Sequence, residues 1–405
     1  FPAARSGEDT PFQAALYVTD YDGKMVAVVG GRGEKTANRI QNRATSSKRQ
    51  PGSSIKPLSV YAQAIQYNTI HFSSQVQDCY ITLRDGTKWP RNVGQKTPTD
   101  NGTTLVDKAL QQSMNTVAAR LAQTLTAQRC FDFMTNQLHF SSLVKSDGKG
   151  HTDIDLSPMA LGGLTYGVYA REMAAAYQIF GNGGIYNEPY SYEKVEMAGN
   201  TILPKRERLT NRALDEDSAY VMNRLLQHVI TGRTGATGAN GAAGRQLKKD
   251  WAGWEVFAKT GTTQENNDAY FVAGTPYYVA ASWVGYDYNK SLSDTQKTYA
   301  RSLWNQAMKV VHQGLSPTPF TKKGNTVERY YCMTTGELAT DACPDKELGV
   351  YKPDFMPGEC TAHGAPKPTP TEPPAANETP TAPASTPAAE PPAATEPDSS
   401  LSPAA

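Results

Sequence analysis

The sequence predicts a mixed α/β fold of the α+β kind, with one sheet built from both ends of the chain and a helical lobe inserted between them. Two observations support this prediction. Apolar, β-branched runs typical of strands lie within residues 12–30 and again within 255–285, whereas the residues between them show the spacing of amphipathic helices. At 405 residues the chain is also long enough to bury a large core.

The N-terminal half begins with strands and continues with helices. Residues 12–30 predict a β-hairpin, because two apolar runs flank a turn at 20–23 that ends in glycine. A helix is predicted from Ser53, where the apolar residues at helical spacing are Ile55, Leu58, Tyr61, Ala62 and Ile65. Further helices are predicted over 106–126 and over 172–180, the second ending at a glycine-rich turn.

The C-terminal half returns to strands. Residues 233–247 are rich in Gly and Ala, and no regular structure is expected there. Strands are predicted at 255–259, 269–274 and 277–285, followed by a last helix over 298–312.

Composition changes twice towards the C-terminus, which predicts three parts. Residues 1–315 form the main domain, and residues 316–364 form a small Cys-containing extension. Residues 365–405 consist mainly of Pro, Ala, Thr and Glu and contain no aromatic residue. Such a segment cannot bury enough apolar surface to offset the entropy lost on ordering, so we expect a disordered tail.

The charge balance excludes some functions. The 40 Lys and Arg residues nearly cancel the 39 Asp and Glu residues, which argues against a nucleic-acid binder. No run of eighteen apolar residues and no signal region appear, so we expect no membrane anchor in this chain. Because the sequence opens without Met and close to a strand, we expect a fragment or processed form of a longer protein.

The first chemical motif is Ser53-Ser54-Ile55-Lys56, at the start of a predicted helix. A serine hydroxyl is a weak nucleophile until a base takes its proton. Lys56 lies one turn after Ser53 on the same helix face, and its neutral amine could be that base. The motif alone is weak, because the same spacing occurs by chance at 142–145 and 191–194.

A further motif, the third in chain order, is Lys259-Thr260-Gly261-Thr262-Thr263, directly after the strand-like EVFA; the second, Ser113-Met114-Asn115, lies between the two. Lys259 supplies a positive charge, and the threonine hydroxyls suit a terminal carboxylate. Gly261 would let a substrate backbone approach, since it has no Cβ. Taken alone, the motif is equally consistent with an edge strand that carries a solvated lysine.

The second motif, Ser113-Met114-Asn115, is by itself an ordinary polar turn of helix. The order changes its meaning. A helix-borne Ser-x-x-Lys at Ser53, then Ser-x-Asn, then a strand-borne Lys-Thr-Gly at Lys259 is the set found together in penicillin-binding proteins and class A β-lactamases. Both chance Ser-x-x-Lys sites come after the second motif and do not fit this order.

Longer blocks carry a specific resemblance. The sequence resembles the transpeptidase domain of class A penicillin-binding proteins, in particular Gram-positive-type members, over about residues 12–315. The matching blocks are Asn42-Arg43-Ala44 followed by KRQPGSSIKP, then QQSMNTVAARLA, then PMALGG with GVYAREMAAAYQIFGNGG, and KTGTTQENNDAYFVAGTP. The resemblance implies a serine transpeptidase or β-lactamase-like fold: about five mainly antiparallel strands flanked by helices, with a helical subdomain.

The resemblance also implies roles. Ser53 would be the acylated nucleophile and Lys56 its base, and three further residues would position substrate and move protons: Ser113, Asn115 and Lys259. Substrate would be held by Thr260, Gly261, Thr262 and Thr263, and the backbone N–H groups of Ser53 and Thr262 would form an oxyanion hole. Burial and the charge of Lys259 should lower the pKa of Lys56, as a neutral base requires.

The implied reaction is D,D-transpeptidation, which forms peptide crosslinks in peptidoglycan and releases D-Ala without a cofactor. Implied partners are stem peptides ending in D-Ala-D-Ala, β-lactam antibiotics and other cell-wall synthesis proteins. Full-length class A proteins also carry a membrane anchor and a glycosyltransferase domain, neither of which is found in this sequence. The implied location is outside the cytoplasm, at the cell membrane and wall.

Two other classes of function stay open. A D,D-carboxypeptidase or β-lactamase on the same fold would hydrolyse the acyl-enzyme, but the Glu-x-x-Leu-Asn context typical of class A β-lactamases is absent between Ser113 and Lys259. A non-catalytic β-lactam sensor or wall-binding module is the second alternative, which the intact Ser53, Lys56 and Lys259 disfavour.

The C-terminal extension contains three cysteines and one histidine: Cys332, Cys343, Cys360 and His363. Because exported chains tend to oxidise, a disulfide is favoured there over free thiols or zinc, and no metal is predicted. Cys79 and Cys130 lie among apolar residues and are predicted to be packed thiols.

Overall fold

The computed structural model describes residues 11–35, 37–93, 101–203, 207–232 and 247–364. The predicted tail 365–405 and all but the last residue of the Gly- and Ala-rich run 233–247 lie outside that part of the chain. All contacts below lie within one compact unit, Phe1–Pro366, and the predicted division at residue 315 stays a prediction. Within the described ranges, no helix has both the length and the apolar character needed to cross a bilayer.

The strands, in chain order, are β1 Gln13–Asp20, β2 Met25–Val29, β3 Gln75–Gln77, β4 Ile81–Thr82, β5 Lys88–Trp89, β6 Thr103–Leu105, β7 Ile185–Asn187, β8 Val195–Met197, β9 Asn200–Leu203, β10 Thr210–Arg212, β11 Phe257–Thr262, β12 Asp268–Gly274, β13 Tyr278–Gly285, β14 Val327–Cys332 and β15 Lys346–Tyr351. The α-helices are α1 Arg43–Ser46, α2 Ala62–Gln66, α3 Val106–Gln111, α4 Asn115–Leu125, α5 Ala127–Asn136, α6 Leu156–Leu161, α7 Ala170–Tyr177, α8 Glu216–Thr231, α9 Asp294–Lys297 and α10 Tyr299–Val311. Two 3₁₀ turns, Gly52–Ile55 and Gln178–Phe180, and a π-helical segment, Pro57–Tyr61, are also present, and residues 247–250 are helical.

The central sheet has five strands in the order β11-β12-β13-β1-β2, and all neighbours are antiparallel. The predicted sheet and the N-terminal hairpin are therefore confirmed. β1 pairs with β13 along its whole length, with Gln13 opposite Gly285 and Asp20 opposite Tyr278. Both ends of the main domain thus meet in the middle of the sheet, and β11 is left as an edge strand.

Each face of the sheet is covered by helices. Successive side chains of a strand point to opposite faces, so Leu16 and Tyr17 of β1 belong to different cores. Tyr17 joins the large core shared with the helical lobe. Leu16 and Phe271 join the smaller core against α10, where Phe271 meets Trp304 edge to face at 5.5 Å between ring centroids. The sheet is a rigid layer between the two cores.

Most predicted elements are present with small shifts. The strand predicted at 255–259 is β11, Phe257–Thr262, so the Lys-Thr-Gly motif lies inside the strand and not after it. The helix predicted at 172–180 is α7 with the 3₁₀ turn that follows it, and the last helix is α10.

The prediction of one helix over 106–126 is wrong. Two helices, α3 and α4, are separated by residues 112–114. The cause is Ser113, whose φ of 57° is left-handed and cannot continue a right-handed helix. The break lies inside the second sequence motif.

The predicted disulfide in the extension is also wrong. Cys332, Cys343 and Cys360 are free and buried. Their three sulfurs and a ring nitrogen of His363 lie within 4.8 Å of one another, and no two of the sulfurs form a disulfide. Cys79 and Cys130 are buried free thiols, as predicted.

The end of α6 packs against the segment that precedes Ser53, and this contact needs a glycine. Gly162 caps α6 with a φ of 76°, and a Cβ built on it would lie 2.3 Å from the carbonyl oxygen of Gly52. Gly86 has a similar φ of 82°, but a Cβ there would meet nothing within 4 Å.

Gly162→Ala should therefore lower the free energy of unfolding by about 2–5 kcal/mol, from left-handed strain and overpacking together. Gly86→Ala, the matched control, should lower it by only about 1–2 kcal/mol, because strain is its only penalty. Urea denaturation of both variants measures the difference. Equal losses would show that the contact between Gly162 and Gly52 contributes nothing.

Candidate active site

Ser53 and Lys56 lie together on the irregular helix that starts at Gly52. The first turn is a 3₁₀ helix, Gly52–Ile55, and the backbone N–H of Lys56 donates to the carbonyl of Ser53. In a 3₁₀ helix residues three apart are eclipsed, so this turn aligns the two side chains better than an α-helix would. Ser53 is half-buried, whereas the side chain of Lys56 is fully buried.

The Lys56 amine is held by the second motif. Its Nζ lies 2.8 Å from the carbonyl oxygen of Ser113 and 2.7 Å from Oδ1 of Asn115, with the carbonyl of Met114 at 3.4 Å. A neutral amine has two N–H groups, which match the two close acceptors and leave its lone pair free. Burial, then the charge of Lys259, hold the pKa of Lys56 well below its usual value.

Lys259 of β11 is the second buried cation. It is 1% exposed, and its Nζ donates to Oγ of Ser113 at 2.8 Å and to the carbonyl of Thr260 at 3.1 Å. Burial lowers the pKa of Lys259 to about 7. Both lysines of the predicted site can therefore lose a proton far more easily than a surface lysine.

Ser113 connects the two lysines. Its carbonyl accepts from Lys56 and its hydroxyl accepts from Lys259. The left-handed backbone at Ser113 makes this double contact possible, and such conformations carry about 1–3 kcal/mol of strain and cluster at functional sites. The backbone N–H groups of Ser113 and Met114 tie the turn back to α3.

Asn92 is a site residue that the sequence interpretation missed. Its Oδ1 accepts from the N–H groups of Asn115 and Thr116 at 2.7 and 3.1 Å, and so satisfies the first turn of α4. The amide of Asn115 donates to the carbonyl of Arg91 at 2.8 Å, which directs its oxygen towards Lys56. No local pattern links Asn92 to a helix that begins 23 residues later.

The geometry also brings Thr262 to the serine turn. The N–H of Thr263 donates to the carbonyl of Asp268 in β12. Because backbone N–H groups of successive strand residues point to opposite sides, the N–H of Thr262 points away from β12, towards the open edge of the sheet. That edge faces Gly52, since a Cβ on Gly52 would lie 2.9 Å from the nitrogen of Thr262. Thr262 is one of the two residues whose N–H groups were predicted to form an oxyanion hole.

The other residues of the third motif divide by face. Thr260 and Thr262 are exposed, so their hydroxyls are accessible to a ligand. Gly261 has a structural role beside the one expected, since a Cβ there would lie 2.0 Å from the carbonyl oxygen of Pro51. It is needed for packing against the serine turn. The hydroxyl of Thr263 accepts from two N–H groups, of Asn267 and Asp268, and supports the β11–β12 turn.

Arg49 and Gln50 fix the segment that leads into Ser53, and neither was singled out from the sequence. Arg49 Nε lies 2.8 Å from Oδ1 of Asp268, an atom that also accepts from Trp283 at 2.8 Å. Burial raises the pKa of the Asp268 carboxyl, and Arg49 opposes that rise. Gln50 accepts from the N–H of Leu164 at 2.7 Å. The serine turn is thus anchored to both the sheet and the helical lobe.

Acidic groups are kept away from the predicted site. In the part of the chain that the structure describes, no carboxylate makes a hydrogen bond to the predicted catalytic residues Ser53, Lys56, Ser113, Asn115 and Lys259. Glu172 is 7% exposed, and its carboxylate accepts from the N–H groups of Ser141, Ser142 and Tyr169. Its oxygens support the loop before α7 and are not free to activate a water.

Comparisons with known proteins agree on one family. Residues 14–293 match the family model described as the penicillin binding protein transpeptidase domain. Penicillin-binding protein 1A of Clostridium botulinum strain Hall is 29% identical over 355 residues, which cover 85% of this chain and 41% of that protein. The corresponding protein of Clostridium acetobutylicum is 30% identical over 321 residues, 78% of this chain and 37% of its own length. The chain thus spans about two fifths of these relatives.

Solved structures share the fold. Penicillin-binding protein 1A from Haemophilus influenzae superposes with a TM-score of 0.71 at 23% identity, covering 85% of this chain and 54% of that one. PonA1 from Mycobacterium tuberculosis in complex with penicillin V gives a TM-score of 0.62 at 25% identity, covering 79% of this chain and 83% of that one.

The depressed pKa of Lys259 has a measurable consequence for stability. Between the folded pKa of about 7 and the unfolded value of about 10.4, the unfolded chain binds more protons at this site, so wild-type stability should rise with pH. In Lys259→Met that contribution is absent. The free energy of unfolding of the wild type, relative to this variant, should rise by up to about 1.4 kcal/mol per pH unit between pH 7 and 10.

Urea denaturation across that pH range provides the measurement. Lys149→Met, at an exposed lysine, is the matched control and should give a difference that is flat with pH. A flat difference for Lys259→Met as well would mean that Lys259 titrates as an ordinary lysine.

Proposed function

The chain belongs to the penicillin-binding protein transpeptidase domain family, and on that premise we propose that it is a serine D,D-transpeptidase that crosslinks peptidoglycan. Its donor substrate is a stem peptide ending in D-Ala-D-Ala. Ser53 Oγ attacks the carbonyl between the two D-Ala residues, the C–N bond breaks, and the terminal D-Ala leaves with a proton. An acceptor amine then attacks the Ser53 ester, and a new peptide bond forms while Ser53 regains its proton.

The observation that carries this proposal is the environment of Lys56. Acylation needs a base that is neutral at physiological pH and lies on the same helix face as the nucleophile. The pKa of Lys56 is lowered by burial and by Lys259, and its two N–H groups have close acceptors in Ser113 and Asn115. The lone pair is left to take the Ser53 proton. No hydrogen bond joins the side chains of Ser53 and Lys56 in the described residues, as is common before substrate binds.

Protons can then move between Lys56 and the leaving group through neighbouring residues. Ser113 Oγ lies 2.8 Å from Nζ of Lys259, and burial lowers the pKa of Lys259 to about 7, so this pair can pass a proton in either direction near neutral pH. We assign Ser113 and Lys259 to proton transfer to the departing D-Ala nitrogen. Asn115 holds the Lys56 amine and orients the donor peptide.

The substrate is held at the open edge of β11. The N–H groups of Ser53 and Thr262 stabilise the oxyanion, and each such donor contributes on the order of 2.7–4 kcal/mol in other acyl-transfer enzymes. An extended peptide can pair with an edge strand through its backbone. Thr260 and Thr262 present exposed hydroxyls to the D-Ala carboxylate, near the Lys259 ammonium. Gly261 keeps this strand against the serine turn, and Thr263 supports the β11–β12 turn beside the substrate.

Transfer to an amine is favoured over hydrolysis. Rapid deacylation by water needs a base such as the glutamate of class A β-lactamases. Among the residues described, no carboxylate makes a hydrogen bond to the proposed catalytic groups, and Glu172 has its oxygens occupied by backbone N–H groups. The acyl-enzyme should therefore persist until an acceptor amine arrives. A β-lactam that acylates Ser53 should be trapped for the same reason.

We place this reaction outside the cytoplasm, at the membrane and wall, where its polymerised substrate lies. The curated relatives are named penicillin-binding protein 1A, and the present chain spans only about two fifths of them. The proposal therefore covers the crosslinking step alone. Other cell-wall synthesis proteins are proposed as partners, and polymerisation of glycan is not assigned to this chain.

Intact-mass spectrometry after benzylpenicillin tests the nucleophile. The wild type should gain one whole benzylpenicillin, because the opened lactam ring stays attached, and Ser53→Ala should gain none. Ser191→Ala is the matched control, since Ser191 belongs to a chance Ser-x-x-Lys site and is exposed, and this variant should still be acylated. An adduct on Ser53→Ala would contradict the assignment.

A donor and acceptor assay separates the alternatives. Crosslinked product with release of D-Ala is expected from nascent glycan carrying pentapeptide stems. Release of D-Ala without crosslinks would identify a carboxypeptidase, and rapid turnover of benzylpenicillin would identify a β-lactamase. Acylation with neither reaction would identify a sensor.

A further inference from the structure

The extension after the last helix gathers four metal-ligand side chains at one point. Cys332 ends β14, Cys343 lies in the turn before β15, and Cys360 and His363 follow on the segment after β15. One ligand atom from each lies within 4.8 Å of the others. Within the residues described, this is the one such group of three or more His, Cys, Asp and Glu side chains.

The distances fit a tetrahedral ion. With Zn–S of about 2.3 Å and Zn–N of about 2.0–2.1 Å, a tetrahedron places sulfur about 3.6 Å from nitrogen and about 3.8 Å from another sulfur. Nδ1 of His363 lies 3.4 Å from the sulfurs of both Cys332 and Cys360. The remaining separations are all within 4.8 Å, so they need shifts of about 1.2 Å or less.

These cysteines form a small core of their own, separate from the main core that Tyr331, Val350 and Tyr351 of the same extension join. Cys332, Cys343 and Cys360 form a buried cluster of their own, at 0%, 4% and 0% exposure, joined only by the partly buried Ala339. An apolar core this small contributes little stability by itself, and small natural modules often add disulfides or a metal. A single disulfide would use two sulfurs and leave the third thiol and His363 without a role.

The surrounding polar groups point at the sulfurs. The hydroxyl of Thr335 lies 3.5 Å from the sulfur of Cys360, and the N–H of Thr340 lies 3.4 Å from that of Cys343. Donors of this kind orient thiolate ligands and tune their basicity in metal sites. The tight turn after Cys332 is closed by the N–H of Gly336, which donates to the Cys332 carbonyl at 2.8 Å.

We propose that Cys332, Cys343, Cys360 and His363 bind one Zn²⁺ in a closed, structural Cys₃His site. Three thiolates and an imidazole in a tetrahedral arrangement select zinc among the common divalent ions. The four protein ligands leave no open position for substrate, so the ion has no part in acyl transfer. The site reverses the expectation from sequence that the chain carries no metal.

The ion orders the face of the extension that supports the active site. The hydroxyl of Ser73 donates to the carbonyl of Gly336 at 2.5 Å and lies 2.8 Å from the hydroxyl of Tyr351. Tyr331, next to Cys332, donates to Asp107 of α3 at 3.1 Å. Because α3 leads directly into Ser113, the metal site supports the helix that positions the second motif.

Metal analysis of the full chain tests the proposal. The protein is purified with Zn²⁺ and a phosphine reductant, and zinc is measured by plasma mass spectrometry. About one zinc per chain is expected for the wild type, and less than about a tenth for Cys343→Ala and Cys360→Ala. Cys130→Ala, at a buried cysteine far from the cluster in sequence, is the matched control and should retain about one.

A second measurement uses the wild type alone, in case a ligand variant fails to fold. Replacement of Zn²⁺ by Co²⁺ should give the visible bands of tetrahedral cobalt with thiolate charge transfer, and removal of the metal by a chelator should make three further thiols reactive. Absence of stoichiometric zinc from the wild type, or equal zinc in the variants, would overturn the proposal. So would a non-reduced mass lower by two hydrogen atoms, which identifies a disulfide.

Discussion

Two buried lysines that share one serine are the constraint on which the rest of this site depends. Ser113 accepts from Lys56 through its carbonyl and from Lys259 through its hydroxyl, and it can do both because its backbone is left-handed. Burial lowers the pKa of both lysines, and the charge of Lys259 lowers that of Lys56 further, which makes the lysines chemically useful. The same arrangement destabilises the fold, so the surrounding structure must hold it in place.

That support comes from several directions. Asn92 satisfies the start of α4 and thereby fixes Asn115, while Arg49 and Gln50 tie the serine turn to Asp268 and Leu164. Away from the serine turn, the carboxylate of Asp107 in α3 accepts from the hydroxyl of Tyr331. Its other oxygen lies 2.9 Å from Nδ1 of His228. The C-terminal extension therefore reaches the catalytic lobe through α3. If the cysteine cluster binds zinc, a metal outside the active site stabilises the position of Ser113.

The sequence predicted the parts of the structure that local patterns encode. Apolar periodicity indicated the hairpin, the strands after residue 255 and the serine helix, and the order of three motifs identified the family of the site.

Contacts between distant segments were missed, because nothing local marks Asn92 or Arg49 as partners of residues far along the chain. The helix break at Ser113 was also missed, since serine gives no signal for a left-handed backbone. Gly261 was recognised as special from the sequence, but only the fold shows that Pro51 occupies the space of its Cβ. Spacing alone could not distinguish a disulfide from four converging ligands.

The central claim is that Lys56 is neutral near physiological pH and takes the proton of Ser53. The rate constant for acylation of Ser53 by benzylpenicillin, measured against pH, tests it most directly. The account predicts a rate that rises with pH through a group whose pKa lies well below the lysine reference of about 10.4. A rate that is flat at neutral pH and rises only near that reference value would contradict it.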